Sequence, residues 1–216
     1  MPDTPPDAGP FSHLEESHLR ELAPHGALRA FPKNTVVLNE GDETSSLYVI
    51  LSGRVKVYMT GEDGRELVVA TLKAGEYFGE LVIDGGPRAA SIATLEPSRF
   101  FILPHTDVEG LMSGNPAFAQ ELILKLIGKV RALNAKVRDL ALKDVYGRFV
   151  GFLETNAEDQ NGERVVTEAL TQSEIAARIG GSREMVSRIV RDLTAGAYIA
   201  VESKRIRILK KLPAHW

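Results

Sequence analysis

The pattern of hydrophobic and polar positions changes character twice along the chain. From about Phe31 to Leu103 short apolar runs alternate with Gly or Pro turns, which is typical of an all-β domain. The predicted strands are Thr35–Leu38, Leu47–Leu51, Val55–Met59, Leu67–Leu72, Ser91–Leu95 and Arg99–Leu103. Turn pairs such as Gly41-Asp42 favour a compact roll or barrel over a parallel sheet. A short helix is predicted before the roll, at Glu15–Leu22.

A helical period replaces the strands after Asn115-Pro116. Residues 116–143 contain a single glycine and no further proline, which is enough for a helix of ~42 Å. Apolar residues recur there at alternating spacings of four and three, from Ala119 onward. This heptad pattern predicts parallel pairing with a second copy, and the alternative is a helix packed only on its own domain. The predicted dimerisation residues are Ile123, Leu126, Val130, Leu133, Val137 and Leu140.

The C-terminal third of the chain carries the pattern of a helix-turn-helix. After a helix at about Val145–Thr155 and a polar loop at Asn156–Arg164, the residues Thr171-Gln172-Ser173-Glu174 have the form of a capping box. The first helix ends at Gly180-Gly181, and Ser182 caps the second helix, which Gly196 closes. Tyr198–Val201 and Arg205–Leu209 then predict a β-hairpin wing.

The polar face of the second helix is suited to base recognition. Arginine bridges the O6 and N7 atoms of guanine, and glutamate accepts from cytosine N4, so Arg183, Glu184 and Arg188 favour G·C-containing half-sites. A solvated charged face is the alternative interpretation for such a helix in isolation. The predicted DNA-contacting residues are Thr171, Gln172, Ser182, Arg183, Glu184, Ser187, Arg188 and Arg191.

Composition narrows the function further. The net charge is −3, yet residues 171–211 carry nine Lys and Arg against four Asp and Glu, so a basic surface is concentrated where DNA binding is predicted. The chain has no cysteine, which excludes thiolate-held iron–sulfur clusters, and its five histidines lack metal-site spacing. We predict no catalytic and no metal site. Without a secretory leader or an apolar run of about 18 residues, the expected location is the cytoplasm.

Three sequence blocks resemble the cyclic-AMP receptor protein (CRP/FNR) family of bacterial transcription regulators, over about residues 11–210. They are Gly41-Asp42 with Tyr48 and Ser52-Gly53, then Phe78-Gly79-Glu80-Leu81 with Pro87-Arg88-Ala89-Ala90, and finally Ser182-Arg183-Glu184 with Arg188. The resemblance implies an α+β chain with an N-terminal cyclic-nucleotide-binding-type β-roll, a long dimerisation helix and a C-terminal winged helix-turn-helix. The corresponding division is a flexible arm at 1–10, an effector-binding roll at 11–115, the helix at 116–143 and the DNA-binding domain at 144–216.

The resemblance also implies a function and a ligand site. The chain is expected to be a dimeric regulator with cyclic AMP as effector and no cofactor, reading TGTGA-like palindromic half-sites in double-stranded DNA and contacting RNA polymerase but no membrane. Glu80 would accept from the ribose hydroxyl, and Arg88 with the amide of Ala89 would bind the cyclic phosphate. The implied ligand residues are Phe78, Gly79, Glu80, Leu81, Arg88, Ala89 and Asn134.

The chain departs from the family pattern at three places. Ala89 stands where bacterial cyclic-AMP receptors have Ser or Thr, although Arg-Ala-Ala resembles the kinase regulatory subunits, which bind this ligand. Leu133-Asn134 stands where the family has an adenine-contacting Thr-Ser pair, and Gln172 replaces a phosphate-contacting arginine. The alternatives are therefore a ligand-independent or differently liganded CRP/FNR-type regulator, and a cyclic-nucleotide-binding regulatory subunit that does not bind DNA. A haem sensor would have only scattered histidines as ligands.

Overall fold

The computed structural model describes residues 16–160 and 162–213, so the predicted arm at 1–10 lies outside the described residues. Its N-terminal part is a β-roll preceded and followed by short helices. The elements are α1 (Glu16–Leu22), β1 (Ala27–Phe31), β2 (Val36–Leu38), β3 (Ser46–Ser52), β4 (Arg54–Thr60), β5 (Glu66–Lys73), β6 (Tyr77–Phe78), a 3-10 helix (Glu80–Asp84), β7 (Ser91–Thr94), β8 (Ser98–Pro104) and α2 (His105–Gly114).

Two four-stranded sheets form the roll. One has the strand order β1-β8-β3-β6, and the other has the order β2-β7-β4-β5. The strand pairs for which the register is described are antiparallel, as expected for strands joined by tight turns. Phe100 and Phe101 are fully buried and belong to separate core clusters, because neighbouring residues of a strand point to opposite faces.

The strand predictions for the roll are confirmed within one residue at each end, but four elements were missed, namely β1, β6, α2 and the five-residue 3-10 helix. β1 is largely exposed and shows no clear alternation, and β6 has only two residues. Helix α2 buries little more than Asp107 and Val108, so its apolar period is weak. In each case the hydrophobic signal was too short or too shallow to predict the element.

The long helix α3 spans Pro116–Leu142, which confirms its prediction to within one residue. The C-terminal elements follow as α4 (Val145–Asn156), β9 (Ala157–Gln160), β10 (Glu163–Val166), α5 (Gln172–Ile179), α6 (Arg183–Ala195), β11 (Ile199–Glu202) and β12 (Arg205–Ile208). They surround one buried cluster that includes Phe149, Ile175, Val186 and Leu193.

The polar loop predicted at Asn156–Arg164 is wrong, since most of it is a β-hairpin. Strands β9 and β10 pair with each other, and β10 also pairs with β12 to complete a sheet of order β11-β12-β10-β9. All four residues of β9 and the first two of β10 lack a buried side chain. The strands are held by backbone pairing, which leaves no trace in the hydrophobic pattern.

The chain divides into two compact units. The described residues up to Met59 together with residues 69–132 form one unit, and residues 60–68 with the described residues from Leu133 onward form the other. The predicted boundaries at residues 115 and 143 follow secondary structure, and they stay predictions. No helix in the described part of the chain combines the length and the apolar content that a membrane span requires.

Candidate effector pocket and DNA-reading face

The family-like cassette at residues 78–90 surrounds a cavity of about 100 Å³ in the N-terminal unit. Apolar side chains of the strands line the cavity, together with charged side chains from the cassette and from α3. The lining residues are Leu38, Val57, Leu72, Phe78, Gly79, Glu80, Leu81, Pro87, Arg88, Ala89, Ala90, Ile92 and Lys129. Ligand sites are usually concave and mostly apolar, with a few convergent polar groups.

Arg88 is the fixed cation of this cavity. It is buried, and its guanidinium donates from Nε to Thr44 Oγ1 (2.9 Å), from Nη1 to the carbonyl of Gly79 (3.0 Å) and from Nη2 to the carbonyl of Ser46 (2.7 Å). Burial lowers the pKa of Arg88, but the side chain stays protonated because an arginine pKa starts so high. These three bonds orient the planar group before any ligand arrives.

Gly79 makes that arrangement possible. Its φ of +86° lies in the left-handed region, and a Cβ at this position would lie 2.8 Å from both Arg88 Nη1 and the Ser46 carbonyl oxygen. Any other residue would therefore displace the guanidinium as well as strain the backbone. The glycine of the predicted cassette is explained by this close approach.

Glu80 and Lys129 form an ion pair across the cavity. The Glu80 side chain is only 8% exposed, and its Oε1 accepts from Lys129 Nζ at 2.7 Å. The same ammonium lies 5.2 Å from the centre of the Tyr77 ring, which adds a cation–π contact. Sequence reasoning missed Lys129 as a site residue, and its only signal was a position on α3 away from the heptad pattern.

The other predicted ligand residues are not equivalent. Phe78 is buried and stacks on Tyr48 with 4.8 Å between ring centres, so it serves the core as well as the cavity wall. Leu81 and Ala89 line the cavity with exposed side chains. Asn134 is exposed on α3 and is absent from the lining, to which α3 contributes Lys129. The structure thus brings together six of the seven implied residues.

Helix α5 begins with the predicted capping box. Thr171 Oγ1 accepts from the Glu174 amide (3.2 Å), and the Thr171 amide donates to the Glu174 carboxylate (2.6 Å). Gly180 ends the helix in the left-handed conformation, and the Ser182 hydroxyl accepts from the Met185 amide (3.2 Å) to cap α6. These local bonds confirm the predicted helix-turn-helix.

One face of α6 is buried and the other presents charge. Val186, Ile189 and Leu193 enter the core of the C-terminal unit. The opposite face borders a shallow depression lined by Arg183, Glu184, Ser187, Arg188 and Arg191. Five of the predicted DNA-contacting side chains therefore share one exposed surface, and the remaining three, Thr171, Gln172 and Ser182, lie at the helix starts.

The charges on this surface are available for recognition. The Glu184 backbone amide and the Ser182 hydroxyl donate to the Glu184 carboxylate and lower its pKa, so it is ionised at neutral pH. Within the described part of the chain, no carboxylate lies in salt-bridge range of Arg183 or Arg188, whereas Arg191 Nε pairs with Asp192 at 3.0 Å.

The wing is a hairpin with a strained tip. Strands β11 and β12 pair antiparallel, and Ser203 (φ 50°) and Lys204 (φ 65°) form the turn in the left-handed region. Two positive φ values in a two-residue loop match the right-handed twist of a hairpin. The Leu170 amide donates to the Lys204 carbonyl (3.0 Å), which holds this basic tip beside α5.

The predicted dimerisation residues divide into two groups. Ile123, Val130, Leu133 and Val137 are exposed, and so is the additional residue Ile127; the five lie between 43% and 62% exposed. Leu126 and Leu140 are half-buried, with Leu126 packed on the core of the N-terminal unit and Leu140 against Gly180. The exposed apolar stripe therefore runs through Ile127 rather than Leu126.

Comparisons with known proteins agree with this architecture. Residues 28–115 match the family model of the cyclic nucleotide-binding domain, and residues 147–211 match that of the Crp-like helix-turn-helix domain. The chain is 32% identical over 206 residues to a CRP-like cAMP-activated global transcriptional regulator of Mycobacterium tuberculosis, covering 93% of this chain and 92% of the relative. It is 28% identical to the cAMP-activated global transcriptional regulator CRP of Pasteurella multocida, with 84% and 90% covered.

Among solved structures, the c-di-GMP responsive global regulator CLP of Xanthomonas campestris has a TM-score of 0.79 at 23% identity. The match covers 90% of this chain and 99% of that one. At this identity the likeness shows the fold alone. The relatives with the stronger sequence similarity are transcription regulators and not enzymes.

Proposed function

The chain belongs to the CRP/FNR family of DNA-binding transcription regulators, and we propose that it acts as a homodimer whose DNA affinity is controlled by cyclic AMP. The observation that carries the effector assignment is the cavity in which a buried carboxylate and two cations converge. The cyclic nucleotide offers the complementary set of groups, namely one anionic cyclic phosphate and one ribose hydroxyl.

Arg88 is already shaped for a phosphate. A guanidinium has five N–H donors, and three of them are used within the protein, from Nε, Nη1 and Nη2. One donor therefore remains on each Nη atom for charge-assisted bonds to phosphate oxygens. In this proposal Lys129 supplies a second cation for the phosphate. Glu80 weakens its ion pair with Lys129 and accepts a hydrogen bond from the ribose hydroxyl.

The homodimer is proposed from the exposed stripe on α3. A soluble chain rarely exposes a continuous row of large apolar side chains, and the spacing of Ile123, Ile127, Val130 and Val137 fits a partner helix. Asn134 lies among them, and a polar residue at such a position fixes the register of a helix pair.

The DNA target proposed for the dimer is a palindrome with TGTGA-like half-sites. Arg183 and Arg188 offer bidentate donors to guanine, and Glu184 offers an acceptor to cytosine N4. Two copies related by a twofold axis would read two inverted half-sites, about one helical turn apart. RNA polymerase and the cytoplasm complete the proposal as partner and location, in keeping with the family.

The test measures DNA affinity and effector binding separately. Fluorescence anisotropy with a TGTGA palindrome should show tighter binding with cyclic AMP than without it, and Arg183→Ala should abolish specific binding while a scrambled duplex is bound equally by both proteins. Calorimetry with cyclic AMP, cyclic GMP and cyclic di-GMP identifies the effector. If cyclic AMP neither binds nor changes DNA affinity, effector control by cyclic AMP is wrong, and palindrome binding alone would support the ligand-independent regulator that Ala89 and Leu133 leave open.

A further inference from the structure

Arg148 of α4 binds backbone carbonyls at the ends of two other helices. Its Nε donates to Ile179 O (2.7 Å) and its Nη2 to Gly180 O (3.1 Å), both at the C-terminal end of α5. Its Nη1 donates to Lys143 O (2.6 Å) and Leu140 O (3.3 Å), at the C-terminal end of α3. One guanidinium thus connects the ends of both helices.

Lys136 makes the same kind of connection one turn earlier on α3. Its Nζ donates to Arg178 O (3.2 Å) in the last turn of α5 and to Val68 O in the edge strand β5. Burial lowers the pKa of this ammonium, and the charge of Arg178 lowers it further. Across the residues that the structure describes, neither Lys136 nor Arg148 makes an ion pair with a carboxylate.

The placement of these two cations has an electrostatic reason. The last four carbonyls of a helix lack partners within it, and the aligned peptide dipoles place partial negative charge there. Two such ends that converge repel each other unless positive charge lies between them. Gly180 adds a steric requirement, because a Cβ there would lie 2.6 Å from Leu140 Cδ2.

We propose that Arg148 and Lys136 are positioning residues for DNA binding. They hold α5 against the end of α3, and the turn at Gly180 and Gly181 together with a shared core transmits that orientation to the reading helix α6. We call this contact between the C-terminal ends of α3 and α5 the joint. In a dimer paired through α3, the joint sets the separation of the two reading helices. That last step rests on the proposed pairing of α3, whereas the joint itself lies within one chain.

The experiment measures the joint and its consequence in the full-length protein. The variants are Arg148→Met, Lys136→Met and the conservative Arg148→Lys. The control is Arg138→Met, which removes an exposed cation from α3, the helix of Lys136. DNA affinity is measured with duplexes that the unaltered chain enriches from a randomised pool, so that the assay does not depend on the proposed half-site. Sedimentation measures dimer formation independently.

A distance measurement distinguishes positioning from simple stabilisation. Because the chain has no cysteine, Ala135→Cys on α3 and Ser173→Cys on α5 accept two spin labels at exposed positions, and dilution with unlabelled chain isolates the intrachain distance. We expect a narrow distance distribution in the unaltered chain and a broad one in Arg148→Met. If the binding-competent orientation falls to about one tenth of the population, DNA affinity falls about tenfold.

The outcomes separate the joint from the proposed dimer. Arg148→Lys should recover part of the affinity because it keeps the charge, and Arg138→Met should change neither the affinity nor the distance distribution. Unchanged affinity with a narrow distribution in Arg148→Met, or an equal loss in the control, overturns the inference. If Arg148→Met does not fold, Lys136→Met carries the same expectation of lower affinity and a broad distance distribution. A monomeric unaltered chain would overturn the pairing of α3 and leave the distance result to decide the joint.

Discussion

Removal of the Lys129 ammonium should destabilise the ligand-free protein. In Lys129→Met the Glu80 carboxylate keeps its buried position and loses the cation that lies 2.7 Å away. A buried charge without a partner costs free energy, because the interior replaces the water that would otherwise solvate it. Methionine keeps most of the length of the lysine stem, so the change removes chiefly the charge.

The magnitude follows from the exposure of the two partners. Loss of one partner from a fully buried pair costs about 3–5 kcal/mol, and an exposed pair contributes at most about 1 kcal/mol. Here the Glu80 side chain is 8% exposed and that of Lys129 is 36% exposed, so solvent screens one end only. We therefore expect Lys129→Met to lower the free energy of unfolding by about 2 kcal/mol, which for a chain of this size lowers Tm by roughly 4–8 °C.

A double-mutant cycle is the appropriate assay. The free energy of unfolding, followed by circular dichroism in urea, is compared among the unaltered chain, Lys129→Met, Glu80→Gln and the double variant. Lys125→Met is the matched control, because Lys125 lies on the same helix and 5.4 Å from the centre of the same Tyr77 ring. A coupling free energy below about 0.5 kcal/mol, or an equal loss in the control, would refute the assigned ion pair.

Three further predictions concern the effector, the dimer and pH. Ala89→Ser should tighten cyclic AMP binding about tenfold in calorimetry, because the exposed position admits a hydroxyl donor to the phosphate; an unchanged Kd contradicts it. Val137→Glu should abolish dimer sedimentation while Arg138→Glu retains it, and a dimeric Val137→Glu argues against the α3 stripe. The pKa of Lys136 is lowered in the folded protein, so the unfolded chain binds more protons at alkaline pH. The free energy of unfolding of the unaltered protein should therefore rise relative to that of Lys136→Met as pH approaches about 10.4, and the opposite slope refutes the assigned burial.

The helix-turn-helix could be predicted in detail because its determinants are local. The Thr171 hydroxyl, the Glu174 carboxylate and the left-handed Gly180 act within a few residues of each other, so the sequence contains both partners of each bond. The hairpin of β9 and β10 shows the opposite case. Its stability comes from pairing with β12 about 40 residues later, and its exposed side chains reveal nothing of that partner.

The candidate effector site was only half predictable for a related reason. Arg88 and Glu80 belong to one contiguous cassette, whereas Lys129 lies 49 positions from Glu80 along the chain. Its contact depends on how α3 is rotated about its own axis. Apolar residues occupy more than one side of α3, and periodicity alone could not tell that Leu126 faces its own unit while Ile127 is exposed. That rotation is decided by packing against the roll.

The interaction partners of individual Lys and Arg residues explain how a chain of net charge −3 can bind DNA. Charge counting treats every Lys and Arg alike, but the structure assigns them to different partners. Glu168 binds Arg178 in a bidentate pair, and backbone carbonyls bind Arg148, so neither guanidinium is free to contact a phosphate. Arg183 and Arg188 have no such partner among the residues that the structure describes, and they lie on the exposed face of α6. Recognition therefore depends on which cations the fold leaves exposed and unpaired, and the net charge does not distinguish these from the paired ones.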